Sequence, residues 1–360
     1  MDNEENGIKE AKKNGLLTSG NKIIACPHCG SASVIKHGTK DGKQRYRCKD
    51  CKKTFVETTN KVSHHSRLSE WQWKEIIKGM ILNLSIGQIS DITGLSTKAV
   101  WYNKNKVLQL VSNRFGEQDT FKDIAECDET EVHLSYKGKR DPRFFIYHLR
   151  RMPRANRSRE EKIEYLQKYG LLEELQHDPE QLEAILKGDR YLPGTKNDSV
   201  CVLTGIDRGK NLVIKPVCLG KLESGHVCQE FDTRFGNDAM IVTDGNSSYN
   251  WFAEERNIHH EVIPADKHAV GPYSLARVNA IHADYNKYYP QHKQNLPATK
   301  YLDLGTDFFW WLEKNKDNSI EEKVDMLYKM VQEDNYTESY EDMRHRKLKL
   351  DTKGLIPTEL

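Results

Sequence analysis

Cys26-Pro-His-Cys29 and Cys48-Lys-Asp-Cys51 constrain this chain more than any other residues. The two C-x-x-C pairs are separated by 18 residues, an interval that carries Gly38, Gly42, Tyr46 and five Lys/Arg. Each pair fits a tight knuckle that points two thiolates at one ion. Four thiolates match the tetrahedral, sulfur-rich preference of Zn²⁺. Two disulfides would satisfy the same spacing, but the polar, acid-rich start Met1 to Glu10 has no secretion signal, and a reducing compartment disfavours disulfides. The spacing therefore predicts a structural zinc ribbon over residues 21–60, behind a polar lead (residues 1–20) expected to be disordered. A closed Cys₄ site has no open coordination position, so this zinc holds a fold and does no chemistry. Cys127, Cys201, Cys218 and Cys228 show no ligand spacing and read as core thiols.

A chain of 360 residues has room for two to three domains. Its net charge of +2 hides an asymmetry. From Asn21 to Lys106 there are sixteen Lys/Arg against six Asp/Glu. A basic excess beside a recognition module points to a polyanion, although a solvated surface has the same composition. No apolar run approaches the length of a membrane span, and the expected location is cytoplasmic and nucleoid-associated, with no membrane partner.

Residues 61–116 change period. Leu68, Trp71, Ile76, Ile77, Met80 and Ile81 fall at helical spacing. Ser85 can cap a second helix bearing Ile86, Ile89 and Ile92, Gly94 ends it, and Ser96 can cap a third with Val100, Trp101, Val107 and Leu108. This is the helix-turn-helix arrangement, or a plain three-helix bundle. On the third helix Thr97, Lys98, Tyr102, Asn103, Lys104 and Lys106 are side chains suited to a major groove and its phosphates.

From residue 120 to 315 strands and helices alternate. Residues 124–134, 199–206, 211–218, 239–244 and 260–263 read as strands, and 225–235, 248–256 and 272–287 as helices. Three strands in succession followed by alternation is the order of an RNase H-like α/β core. Residues 150–197 interrupt it as an insertion, with a basic run (Arg150, Arg151, Arg154, Arg157, Arg159) and two helices near 159–175 and 179–187. It reads equally as a DNA contact or as a solvated linker. Residues 316–360 read as a C-terminal tail.

Asp128 sits inside one apolar strand and Asp244 ends another. Two such acids can hold two divalent cations ~3.5–4 Å apart, and hard oxygen ligands suit Mg²⁺ or Mn²⁺. Four features follow one order here: the Cys₄ ribbon, the helix pair, Asp128-Glu-Thr with Tyr136-Lys-Gly-Lys139, and Val242-Thr-Asp-Gly245 before Tyr249. That order resembles the zinc-ribbon DDE-type transposases of bacterial insertion sequences, the insertion sequence 1595 family, over about residues 25–312 outside the insertion. The stretch Tyr273 to His282 resembles the helix of the third catalytic position, and Ala298 to Leu302 the segment after it. Where the family pattern has a glutamate, this chain offers Asn279 and His282, three apart on one helix face. Lys287 is the nearest match to the lysine that follows in some branches, at a shifted spacing. The resemblance implies binding of terminal inverted repeats and target DNA and metal-dependent cleavage and strand transfer. It implies phosphate positioning by Lys137, Lys139 and Lys287, and a homodimer or larger synapse. A catalytically silent DNA-binding regulator and an RNase H-like nuclease remain open alternatives.

Overall fold

The computed structural model describes residues 16–19, 22–40, 42–64, 66–148, 151–153, 157–188, 199–236, 238–289, 298–336, 338–348 and 350–351. The expected disordered lead lies largely outside them, as do Arg150 and Arg154 of the basic run. The chain divides into two units, residues 1–110 with 318–340 and residues 111–317 with 341–360.

In the first unit a short pair, β1 (Thr18–Ser19) and β2 (Lys22–Ile23), precedes a three-stranded antiparallel sheet in the order β3 (Val34–Lys40), β4 (Lys43–Cys48), β5 (Thr54–Val56). Along β4, Tyr46 and Cys48 are buried while Arg47 is exposed, the period-two alternation of a half-buried strand. Ile24, Val34, Tyr46 and Phe55 pack with the cysteines into a small core. Three helices follow: α1 (Glu70–Ile81), α2 (Ile86–Thr93) and α3 (Thr97–Phe115). Ser69 and Gln72 close a capping box on α1, Ser85 and Gln88 close one on α2, and the Ala99 N–H donates to Ser96 Oγ at 3.2 Å. Gly79 lets α1 and α2 approach. A Cβ there would stand 2.6 Å from Cγ1 of Ile89.

Part of the segment expected as a tail is helical. Ile320–Glu333 is a helix whose buried face, Val324, Leu327, Met330 and Val331, packs on α1. Ser319 and Glu322 cap it with the same box as the other helices. The Tyr336 N–H donates to the Asn60 carbonyl at 2.5 Å. The i, i+3, i+7 spacing of those apolar residues is the sequence signal for this helix.

The second unit is built on one five-stranded mixed sheet. Its strands are β6 (Ile124–His133), β7 (Ser199–Asp207), β8 (Leu212–Leu219), β9 (Met240–Thr243) and β10 (His260–Val262), in the spatial order β8-β7-β6-β9-β10. β7 runs antiparallel to β6 and β8, whereas β6, β9 and β10 are parallel. Between β6 and β7 lie α4 (Arg159–Lys168), α5 (Leu171–Leu175) and α6 (Pro179–Lys187), which bury Leu166, Leu171, Leu175 and Ile185 in a separate cluster. Among its described residues the insertion has α4 and α5 where one helix near 159–175 is expected, because Gly170 takes a left-handed conformation (φ +67°) that ends α4.

α7 (Ser224–Phe231) and α8 (Ser247–Arg256) pack together, and their Val227, Phe231, Tyr249 and Phe252 join Ala125, Cys127, Leu203 and Ile241 in the main core. Cys127, Cys201 and Cys218 are buried and Cys228 is half-buried. The hairpin β11 (Ala269–Val270) and β12 (Tyr273–Ser274) replaces the expected start of the last helix, since Gly271 turns the chain at φ +55°. α9 (Ala276–Tyr288) then packs on β6 and β7, and α10 (Leu302–Lys314) on β8.

Candidate zinc site and catalytic centre

The four predicted cysteines converge. Their sulfurs all lie within 4.8 Å of one another, with Cys26 and Cys51 3.6 Å apart and Cys29 and Cys48 also 3.6 Å apart. Tetrahedral zinc with Zn–S of about 2.3 Å needs sulfur–sulfur edges of about 3.8 Å, so the donor set fits the ion. Backbone N–H groups of Cys51 and Asp50 donate to Cys48 and pull its thiol down to about 7, which favours the thiolate a metal requires.

In the second unit strand register brings Asp128 and Asp244 side by side. Glu126 pairs with Val242 across the parallel strands β6 and β9, so two residues further on Asp128, midway along β6, comes level with Asp244, one residue past the end of β9. Asp128 Oδ1 accepts the Glu129 N–H at 2.9 Å, and Asp244 Oδ1 accepts the Asn246 N–H at 2.9 Å. Burial, with the charges of Glu129 and Asp244 nearby, pushes the Asp128 carboxyl up to about 7. A carboxyl raised in this way by burial and neighbouring acids suits a divalent cation, whose charge relieves the repulsion.

His282 lies beside Asp128. His282 is 8% exposed, its Nδ1 lies 3.8 Å from Asp128 Oδ2, and its Nε2 is buried without a hydrogen-bond partner among the described residues. Burial lowers the imidazole to about 4, so the ring is neutral and the contact with Asp128 is not an ion pair. Asn279 is exposed. Asn286, one turn beyond His282 on the same face, has a buried Oδ1 that also has no partner.

Two acids not singled out from the sequence complete the geometry. Glu126 Oε2 accepts the N–H groups of Arg277 (2.7 Å) and Val278 (3.3 Å), which docks the first turn of α9 on β6. Glu129 accepts from Tyr249 and Asn246 on the opposite face of the sheet. The signal available was four acids, Glu126, Asp128, Glu129 and Glu131, within one ten-residue strand.

Comparison with known proteins covers part of the chain. Residues 22–52 match the model of the InsA N-terminal domain. They form an InsA-like zinc ribbon. A protein of Halobacterium salinarum, described as an uncharacterized protein in transposable element ISH50, is 32% identical over 117 residues. The match takes in 32% of this chain and 39% of that relative, so the chain spans about two fifths of its length. A crystal structure of a pre-cleavage Mos1 transpososome aligns over 76% of this chain and 82% of its own, at 12% identity and a TM-score of 0.22, too low to establish a shared fold.

The residues expected to meet DNA separate into distinct settings. Behind the InsA-like ribbon, Lys98 is exposed with its ammonium 4.6 Å over the Tyr340 ring, and Tyr102 packs edge-on to the same ring. Asn103 corrects the expectation. It is 5% exposed and its amide donates to the Ala99 carbonyl, so it is turned into the packing. Lys104 is half-buried and burial lowers its ammonium. In the second unit Lys137 is exposed, and Lys139 lies 4.0 Å over the Phe144 ring. Lys287 is a second correction. It pairs with Asp284 at 2.8 Å and stands about 140° around α9 from His282, away from the candidate centre. Among the described residues no helix is long and apolar enough to cross a membrane.

Proposed function

We propose that this chain is a DDE-type transposase of an insertion sequence, of the insertion sequence 1595 kind. The InsA-like ribbon and a helix-turn-helix formed by α2 and α3 bind the terminal inverted repeats. An RNase H-like core cleaves the DNA and joins it to a target. The observation that carries the reading is the placement of Asp128, midway along β6, level with Asp244, one residue past the end of β9, with His282 beside Asp128. The strand order β8-β7-β6-β9-β10 with β7 alone reversed supports the RNase H-like assignment, and the 32% identity to a protein in a transposable element supports the link to insertion sequences.

Bound divalent cations, Mg²⁺ or Mn²⁺ held by Asp128 and Asp244, would activate the attacking oxygen and stabilise the leaving one. The chain's own contribution is pre-organisation. Backbone N–H groups fix one oxygen of each aspartate and leave the other for a cation. Glu126 seats α9 so that His282 faces Asp128. Neutral His282 adds no charge to a site already crowded with acids. Lys98, Tyr102, Lys137 and Lys139 are the residues placed to contact phosphates. Joining two ends requires two active sites, hence a homodimer or larger synapse, and DNA as partner implies a cytoplasmic, nucleoid-associated location.

That α9 sets the imidazole of His282, and not a carboxylate, beside Asp128 favours one alternative, a catalytically silent DNA-binding regulator. Cleavage of labelled element ends by the full chain with Mn²⁺ decides between them. Cutting with strand joining supports the transposase, cutting without joining a nuclease, and binding alone the regulator.

A further inference from the structure

Glu129 follows Asp128 in β6, so its side chain leaves the opposite face of the sheet. There its carboxylate is held from two sides. Oε2 accepts the Tyr249 hydroxyl at 2.9 Å, and Oε1 accepts Nδ2 of Asn246 at 2.6 Å. Tyr249 is fully buried, so one end of the tether is fixed in the core. Asn246 is the N-cap of α8, its Oδ1 accepting the Ser248 N–H at 3.0 Å. The Asn246 N–H in turn donates to Asp244 Oδ1, while the N–H of Glu129 itself donates to Asp128 Oδ1. One residue therefore reaches both aspartates, Asp128 through its backbone and Asp244 through Asn246.

Asp244 needs such a tether. β9 ends at Thr243, so Asp244 stands outside the strand ladder and nothing in the sheet fixes its rotamer. A carboxylate that must meet a partner on a neighbouring strand gains from losing that freedom before any ligand arrives.

We infer that Glu129 is a positioning residue that locks Asn246, and through it the carboxylate of Asp244, in line with Asp128. The inference rests on the transposase reading of the two aspartates. It predicts that hydrogen-bonding capacity at position 129 matters more than charge. Gln can still accept from the Asn246 amide, whereas Met fills the space without accepting.

The test uses the full chain, with two readouts. Glu129→Met is expected to slow Mn²⁺-dependent end cleavage at least about tenfold, the scale of losing an outer-shell partner, with end binding intact. Glu129→Gln is expected to recover the larger part of that loss. Amide hydrogen exchange at Asn246 is expected to quicken at least about tenfold in Glu129→Met and to return toward wild type in Glu129→Gln. Should Glu129→Met fail to fold, Asn246→Ser takes its place, because Ser keeps the helix cap but cannot reach Glu129. Its expected result is the same loss of cleavage and the same faster exchange at position 246. Wild-type cleavage and exchange in Glu129→Met or Asn246→Ser would overturn the inference. Glu129→Gln as inactive as Glu129→Met would also overturn it, since the carboxylate would then act by its charge. If wild type itself does not cut the ends, the transposase reading fails, and the exchange rates still decide whether the tether exists.

Discussion

Nδ1 of His282 lies 3.8 Å from Oδ2 of Asp128, too far for a hydrogen bond, with the ring buried and its Nε2 unpartnered among the described residues. A buried imidazole nitrogen without a partner is costly unless something else occupies it in the working state. α9 thus sets His282 beside Asp128, while Asn279 is exposed.

His282→Ala should accordingly cut cleavage severely, and Asn279→Ala less. His282→Glu should keep or raise Mg²⁺-dependent activity, since a carboxylate suits Mg²⁺ better than imidazole does. Steady-state cleavage in Mg²⁺ and in Mn²⁺ checks both points. An active His282→Ala beside an inactive Asn279→Ala would show that the exposed asparagine is the working residue.

Asp128→Ala and Asp244→Ala should each lower cleavage and joining by about 10²–10³-fold or more, the scale of losing one electrostatic stabiliser of a transition state. Mobility-shift assays should show end binding unchanged. A cutting Asp128→Ala variant is incompatible with the mechanism proposed.

The pH dependence follows from two opposed groups. The Asp128 carboxyl rises from 3.8 to about 7, so across that window the folded chain holds a proton that the unfolded chain has released, and this group's contribution to stability falls as pH rises. His282 drops from 6.5 to about 4, so its contribution rises with pH over its window. Asp128→Asn removes the first effect. Without Mg²⁺ or Mn²⁺ its Tm should exceed that of wild type by more at pH 8 than at pH 4.5. A constant difference would mean that Asp128 is not perturbed.

Metal analysis should find about one zinc per chain. Cys48→Ser should lose it and unfold residues 22–56, while circular dichroism and proteolysis show the α/β unit intact. A zinc-free protein whose ribbon stays folded would refute the Cys₄ assignment.

Lys98→Ala should weaken DNA binding and flatten its salt slope by about one unit. Lys104→Ala should act on stability and leave the slope nearly unchanged, because its ammonium is already desolvated. Equal slopes for Lys98→Ala and wild type would remove the start of α3 from the DNA interface.

Local chemistry made much of this protein legible in its sequence. Ligand spacing within each knuckle, Ser caps three residues before Gln, and alternating burial along β4 are set by neighbours in the chain, so the ribbon, α1 and α2 and the main strands could be read directly. Asp128 and Asp244 were visible because an acid among apolar strand residues is conspicuous. Their adjacency was not, since it depends on β9 crossing over to lie beside β6 in one register. The same holds for Glu126, whose partners are 151 and 152 residues away, and for Glu129, whose partners are 117 and 120 residues away. Asn103 and Lys287 suited DNA by residue type, and only packing revealed that one is buried and the other turned from the centre. Periodicity fixes what each element is. Which side chains then face one another depends on sheet order and crossover, which no local pattern encodes.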